Sequence, residues 1–205
     1  MKVIGVYRKC DFVTMLGTCF AISGIICVYN FKTTFAVFCL IFAAICDAFD
    51  GVVARRFFSL KEHQIYGIEL DSLSDAISFG VLPMLISLNL TVQNVYTYAI
   101  SVFFVLCGVI RLAYFNMLST TKKGKHDEFL GVPITASAIV IPMVYFVTFL
   151  IGRKFRYIIF PVTLLLLGLS YIIPIKLKKP TAREKIMLSI MGIIAIIVCI
   201  LKIKF

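Results

Sequence analysis

The sequence predicts an all-α, polytopic integral membrane helix bundle, and its composition and patterning both indicate this class. Of the 205 residues, 61% are hydrophobic and only 15% are charged, and the mean hydropathy is +1.02. Soluble domains carry about 25% charged residues, so this chain has too few polar side chains to cover a water-facing surface. The apolar residues are grouped in runs of about 20, the length that a membrane-spanning helix needs. A secreted enzyme, a disordered chain and a disulfide scaffold are therefore excluded.

Seven apolar runs follow one another along the chain, separated by short polar loops. They cover residues 13–29, 34–58, 66–88, 95–118, 132–151, 157–173 and 186–203. The first six predict core transmembrane helices, and the last predicts an additional C-terminal helix, either spanning or re-entrant or interfacial. Residues 1–12 mix apolar and basic side chains, which predicts an N-terminal interfacial segment. We expect a single integral membrane domain over residues 1–205.

The basic residues predict how the chain is oriented in the membrane. There are 21 Lys and Arg against 10 Asp and Glu, a formal net charge of +11. With the N-terminus in the cytoplasm, 14 of the 21 basic residues fall on the cytoplasmic side, which satisfies the positive-inside rule. Membrane lipids with anionic headgroups account for the positive excess, so nucleic acid is not an expected partner. We expect a multi-pass protein of the cell membrane.

Five acidic residues lie in or beside the second and third runs, where a charge is costly to bury. A carboxylate at the bilayer centre costs about 2.5–3.5 kcal/mol. Asp47 and Asp50 are three residues apart, and Asp71 and Asp75 are four apart, so each pair occupies one face of a helix. Two neighbouring helices would direct these four carboxylates at one another, whereas Glu69 points off the acidic face.

Four converging carboxylates would repel one another unless a cation lies among them. Oxygen ligands favour Mg²⁺, Mn²⁺ or Ca²⁺, and no His or Cys is placed to change that preference. Gly51, Ala54 and Gly67 share the acidic faces and remove side-chain bulk, although small residues there also suit tight helix packing. Arg55 adds a planar group that pairs with phosphate. The pattern favours phosphoryl transfer, with a cation transporter as the alternative from a different class.

The segments DAFDGVVAR and GIELDSLSD match the pattern D-x-x-D-G-x-x-A-R followed by G-x-x-x-D-x-x-x-D. In these residues the chain resembles the CDP-alcohol phosphatidyltransferase family, whose signature covers residues 47–75 here. The matching residues are Asp47, Asp50, Gly51, Ala54, Arg55, Gly67, Asp71 and Asp75. The segments CGVIRLAYFNM and FLGVPITASA resemble the branch of the family that uses serine. The family often begins its first helix with the motif Pro-Asn-x-x-Thr. The segment CDFVT keeps the threonine of this motif, Thr14, but has Asp11 in place of the asparagine and no proline. Helix N-capping is therefore the alternative role of Thr14.

The resemblance implies an enzyme that transfers a phosphatidyl, or archaetidyl-type, group from a CDP-activated lipid to L-serine and releases CMP. It implies that Mg²⁺ or Mn²⁺, in a two-metal site, is held by Asp47, Asp50, Asp71 and Asp75. Asp75 would also act as the general base. The CDP-lipid would be bound by Gly51, Ala54, Arg55 and Gly67. The family further implies a homodimer with an active site facing the cytoplasm.

Arg111 and Asn116 are candidates for binding the acceptor or a phosphate. Arg111 lies inside an apolar run and needs an anionic partner, for which a serine carboxylate, a lipid phosphate or one of the aspartates would serve. Asn116 lies near the end of the same run, where capping the helix is the alternative role. Glycerol 3-phosphate and inositol phosphate are alternative acceptors, and both require further basic residues. The transporter alternative predicts internal repeats or acids spread through the membrane, and the sequence shows neither.

Overall fold

The protein is a bundle of helices, described here from a computed structural model over residues 9–54, 61–121, 128–174 and 176–178. The α-helices in these ranges are α1 (Lys9–Tyr29), α2 (Thr33–Ala54), α3 (Lys61–Asp75), α4 (Leu82–Leu90), α5 (Val95–Thr121), α6 (Ser137–Ile151) and α7 (Arg156–Ile172). A π-helical segment, Ala76–Val81, joins α3 to α4, and 3₁₀ turns at Ile134–Ala136 and Arg153–Phe155 precede α6 and α7. Strand β1 (Glu128–Leu130) pairs antiparallel with β2 (Lys176–Lys178).

The predicted all-α membrane class is confirmed in the part of the chain that the structure describes. Four helices there are long and apolar enough to cross a membrane, namely Asp11–Tyr29, Thr33–Asp50, His63–Leu90 and Val95–Leu118. Two shorter apolar helices cover Ile134–Thr148 and Arg156–Ile172. The chain is therefore a multi-pass membrane protein. The β1–β2 pair was not predicted, because strands of three residues carry too little periodicity to be recognised.

The predictions for the two ends of the chain can be compared with the structure only in part. Residues 9–12, predicted as part of an interfacial segment, instead belong to α1, where Asp11 is buried. The helical pattern continues through them because neither glycine nor proline interrupts it. Residues 1–8 and the last apolar run, 186–203, lie outside the described residues.

The third membrane span, His63–Leu90, changes from α-helical to π-helical geometry directly after Asp75. Pro83, in the first turn of α4, has no N–H to donate to the Phe79 carbonyl one turn earlier. The Ser137 hydroxyl donates to that carbonyl instead, at 2.8 Å. From Ala76 to Val81 the helix widens into the π-helical segment. The flanking residues, Asp75 and Leu82, keep right-handed helical dihedral angles. Ser78 and Phe79 are buried by this turn, next to the acidic residues of α3.

The helices pack through small residues, since lipid provides no hydrophobic drive for helix association. A Cβ atom placed on Gly24 would lie 2.9 Å from Leu82 Cδ2 and 3.0 Å from Cys39 Cβ. A Cβ on Gly17 would lie 3.2 Å from Cys46 Cβ. These glycines allow α1 to lie directly against α2, and Gly24 also allows α4 to approach.

Polar contacts join α2, α6 and α7 at the end of the bundle that lies opposite the acidic residues. The Thr34 and Tyr145 hydroxyls share a hydrogen bond of 2.6 Å, and Arg156 Nε donates to Thr148 Oγ1 at 3.3 Å. The Arg156 guanidinium also lies 5.1 Å from the centre of the Tyr145 ring. Arg156 is buried, so it is a packing residue between α6 and α7.

We predict that Gly24→Val destabilises the bundle by about 1–3 kcal/mol, the usual cost of overpacking a filled interior. Ser23→Val is the matched control, because Ser23 is exposed on the outward face of the same helix. Thermal unfolding in detergent measures both variants. Equal melting temperatures for the two would show that α1 has room to move away from Leu82 and Cys39.

Candidate active site

Four aspartates converge where α2 and α3 end. Asp47 and Asp50 lie in the last two turns of α2, and Asp71 and Asp75 lie in the last turn of α3. Carboxylate oxygens of Asp47, Asp71 and Asp75 lie within 4.8 Å of one another. Asp50 is buried, with 8% of its surface exposed, and borders the same space. The predicted convergence of four carboxylates is confirmed, and the helical spacing is the reason.

The aspartates enclose a small cavity, called here the acidic cavity, of about 10 Å³. That is close to the space that one water molecule needs. Besides the four aspartates it is lined by Thr14, Gly17, Ala43, Ser74, Ser78 and Phe79. These residues come from α1, α2, α3 and the π-helical segment, so the cavity depends on four elements packing correctly.

The donor set of the acidic cavity fits a hard divalent cation. Oxygens bound to one Mg²⁺ ion lie about 2.0–2.1 Å from it, hence at most about 4.2 Å from one another. The 4.8 Å limit on the Asp47, Asp71 and Asp75 oxygens is close to that span. Carboxylate and hydroxyl oxygens line the cavity, and such ligands select Mg²⁺ or Mn²⁺ over softer metals.

Thr14 orients one of the four carboxylates. Its hydroxyl donates to Asp50 Oδ2 at 2.7 Å, and only 9% of the residue is exposed. The alternative role as a helix N-cap is wrong, because Thr14 lies in the second turn of α1. A charge-assisted bond of this length fixes the direction of the Asp50 carboxylate.

Three hydroxyl residues of the site were not predicted from the sequence. Thr18 on α1 and Ser74 on α3 share a hydrogen bond of 2.6 Å, which ties the two helices together beside the cavity. Ser78 lines the cavity one turn beyond Asp75. The spacing from Asp71 to Ser74, Asp75 and Ser78 is three, four and seven residues, so the helical face of the aspartates was the signal.

The small residues and the arginine of the signature lie around the ends of α2 and α3. Gly51 and Ala54 are in the last turn of α2, and Gly67 lies one turn before Asp71 on α3. Arg55 falls outside the described residues. That these four positions bind the CDP-lipid stays a prediction.

Arg111 lines a second cavity of about 220 Å³, between α5 and the end of α7. The guanidinium is buried and lies 4.5 Å from the centre of the Phe115 ring. Gly131 adopts φ +76°, and a Cβ there would lie 2.8 Å from Arg111 Nη1. Glycine is therefore required at position 131, both for the backbone conformation and for space beside Arg111.

Asn116 joins α5 to α3. Its amide nitrogen donates to Glu69 Oε2 at 3.1 Å, and its amide oxygen accepts from the Ser72 hydroxyl at 2.8 Å. These are side-chain contacts across two helices, so they differ from the helix cap considered as the alternative. Glu69 takes part in this network and does not line the acidic cavity, as its position off the acidic face predicted.

The fold and the site together define a class of membrane transferase. The sequence matches the family model for CDP-alcohol phosphatidyltransferase over residues 9–174, and the chain belongs to this family. The matched region includes every helix that the structure describes and the whole aspartate signature.

Three curated proteins of similar sequence show which members of the family this chain resembles. The chain is 36% identical over 149 residues to the CDP-diacylglycerol–serine O-phosphatidyltransferase of Saccharomyces cerevisiae, covering 66% of this chain and 52% of that protein. It is 30% identical over 159 residues to the archaetidylserine synthase of Methanothermobacter thermautotrophicus, covering 77% and 66%. It is 35% identical over 131 residues to the CDP-diacylglycerol–serine O-phosphatidyltransferase of Methanocaldococcus jannaschii, covering 64% and 57%. The matches span about half to two thirds of the length of these relatives.

We predict that Thr14→Val weakens the site without unfolding the bundle. Valine keeps the shape of threonine but removes the hydroxyl that donates to Asp50, and a hydrogen bond to a charged group contributes about 1.5–3 kcal/mol. Divalent-cation affinity, measured by Mn²⁺ titration, should fall about tenfold or more, in proportion to that energy. Thr163→Val is the control, because among the described residues that hydroxyl bonds the Ile159 carbonyl of its own helix, α7, and Thr163 does not line the acidic cavity. Unchanged Mn²⁺ affinity in Thr14→Val would separate Thr14 from the cation site.

Proposed function

We propose that this chain transfers a phosphatidyl, or archaetidyl-type, group from a CDP-activated lipid to the hydroxyl of L-serine and releases CMP. The observation that carries the proposal is the convergence of the four signature aspartates around one small cavity. The serine acceptor is supported by the names of the three relatives, each of which is a serine phosphatidyltransferase or an archaetidylserine synthase.

The cation would be Mg²⁺ or Mn²⁺, held by Asp47, Asp71 and Asp75. Asp50 adds a fourth carboxylate on the side of the cavity next to Thr14, where it would be the ligand that a second ion needs. When bound, the ions would supply positive charge that neutralises the pyrophosphate of the CDP-lipid. Gly51, Ala54 and Gly67 would let the nucleotide approach the helices, and Arg55 would pair with a phosphate.

Asp75 would remove the proton from the serine hydroxyl. As the proton moves to the Asp75 carboxylate, the serine oxygen forms a bond to the lipid-side phosphorus, and the bond from that phosphorus to the CMP oxygen breaks. Asp75 lies one turn after Asp71, so the base stands beside a cation ligand on one helical face. The phosphatidyl, or archaetidyl-type, group is then joined to the serine oxygen, and CMP leaves with the electron pair of the broken bond.

The ammonium and carboxylate of serine both need partners once they leave water. The carboxylates of the acidic cavity suit the ammonium, and Arg111 suits the carboxylate or a lipid phosphate. We propose that Asn116 acts at the acceptor side by holding α3 in place, since Ser72 and Glu69 already occupy both ends of its amide.

The site would face the cytoplasm, in a cell-membrane protein with six core transmembrane helices and a homodimeric assembly. The pairing of β1 with β2 supports this topology, because the charge pattern assigns both segments to the cytoplasmic side and the structure brings them to one end of the bundle. In this arrangement α6 and α7 complete the six helices, and the aspartates would lie in the cytoplasmic halves of the second and third spans. The homodimer rests on the family resemblance alone.

The acceptor is tested with purified protein, a CDP-lipid and separate additions of serine, glycerol 3-phosphate, inositol and inositol phosphate. We expect CMP release with serine, loss of release in EDTA and recovery with Mg²⁺ or Mn²⁺. Arg111→Ala should reduce the serine-dependent rate strongly, whereas Lys154→Ala, which removes an exposed cation, should not. Release driven by a phosphorylated acceptor and not by serine would contradict the serine assignment and leave the family assignment intact.

The base is tested by comparing Asp75→Asn with Asp47→Asn. We expect Asp75→Asn to keep CDP-lipid binding and lose about 10²–10⁴-fold in turnover, the usual contribution of a general base. Asp47→Asn should weaken cation and CDP-lipid binding more than Asp75→Asn does, because Asp47 would serve the cation alone whereas the main role of Asp75 would be that of the base. Glu69→Gln is the control, since it changes an acid of α3 that lies off the cavity. Wild-type turnover in Asp75→Asn would remove Asp75 from the mechanism.

A further inference from the structure

Ser78 is a buried polar residue that the proposed mechanism does not use. It lies in the π-helical segment with 2% of its surface exposed. Its hydroxyl oxygen has no hydrogen-bond partner among the residues that the structure describes. A hydroxyl taken out of water without a partner is costly, so Ser78 is placed to bond a polar group that enters the space beside it.

The neighbouring hydroxyls are all satisfied, which sets Ser78 apart from them. Thr14 donates to Asp50, Ser74 bonds to Thr18, and Ser137 donates to the Phe79 carbonyl. Helical serines normally bond a carbonyl one turn earlier, as Ser170 does with Leu167. Ser78 does neither within the described ranges.

Ser78 lines the acidic cavity together with the four aspartates. Asp71 and Asp75 lie one turn apart on α3, and Ser78 follows in the π-helical segment, where it lines the same cavity as both aspartates. The other hydroxyl residues of the lining, Thr14 and Ser74, are already bonded to Asp50 and Thr18. Ser78 is therefore the lining hydroxyl that has no partner among the described residues.

We propose that Ser78 is a further contact of the cation site: its hydroxyl holds the hydrated divalent cation bound by Asp47, Asp71 and Asp75. This inference rests on the proposed function, because it assumes that the acidic cavity takes a cation. A hydroxyl oxygen is a hard, neutral donor and acceptor, so it adds a contact without adding to the negative charge of four carboxylates. The π-helical turn holds this hydroxyl in place, since Pro83 and Ser137 together fix the Phe79 carbonyl beside it.

The test is Mn²⁺ binding to metal-free, full-length protein in detergent, without substrate, followed by the spin resonance signal of free Mn²⁺. Ser78→Ala should weaken Mn²⁺ affinity about 10–100-fold, the effect of removing groups that support metal ligands. Ser78→Thr, which keeps the hydroxyl, should bind more tightly than Ser78→Ala. Ser87→Ala is the control, because Ser87 is buried on the same span away from the acidic cavity.

A second measurement separates a cation contact from a structural role. Without metal, the melting temperature of Ser78→Ala should equal or exceed that of the wild type, since the hydroxyl has no partner to lose. With saturating Mn²⁺, the gain in melting temperature should be smaller in Ser78→Ala than in the wild type. A lower melting temperature in the metal-free variant would overturn the proposal.

The remaining outcomes distinguish this inference from the proposed function. If the wild type binds no Mn²⁺, the metal-dependent function fails and the inference fails with it. If the wild type binds Mn²⁺ and Ser78→Ala binds it equally well, only the role of Ser78 is overturned. Normal Mn²⁺ affinity in Ser78→Ala with weakened CDP-lipid binding would assign the hydroxyl to the substrate and overturn the cation contact.

Discussion

Repulsion among four carboxylates is the interaction on which the rest of this structure depends. Asp47, Asp71 and Asp75 bring oxygens within 4.8 Å of one another, and Asp50 borders the same cavity. Like charges repel strongly where surrounding protein and lipid exclude water, because little solvent remains to screen them. Such an arrangement needs a positive ligand and neighbours that keep the carboxylates from turning apart. This requirement explains why the cavity suits a divalent cation and why hydroxyl groups surround it.

The neighbours that hold the carboxylates come mainly from α1 and α5. Thr14 fixes Asp50, the Thr18–Ser74 bond ties α1 to α3, and Asn116 ties α5 to α3. Hydrogen bonds and small-residue packing carry this task because apolar contacts between helices gain little over contacts with lipid. Polar contacts also join the helices at the opposite end of the bundle, where Arg156 contacts Tyr145 and Thr148.

The π-helical segment links the stability of the third span to its chemistry. Pro83 removes one backbone donor, and Ser137 on α6 supplies the replacement to the Phe79 carbonyl. The resulting turn buries Ser78 beside the aspartates, so α6, which contributes no residue to the lining, helps to set the shape of the acidic cavity. A change in α6 would therefore reach the cavity through this hydrogen bond without touching a carboxylate.

The sequence alone determined the membrane class, the positions of the apolar runs and the convergence of the aspartates, because hydropathy and helical spacing are local properties of the chain. Only the tertiary structure decided which partners those residues meet: Thr14 with Asp50, Asn116 with Glu69, and Arg111 in a cavity of its own. These contacts join helices that are distant in sequence, so no local pattern encodes them. The π-helical turn likewise needs both Pro83 and a donor from α6, which spacing along the third span cannot reveal.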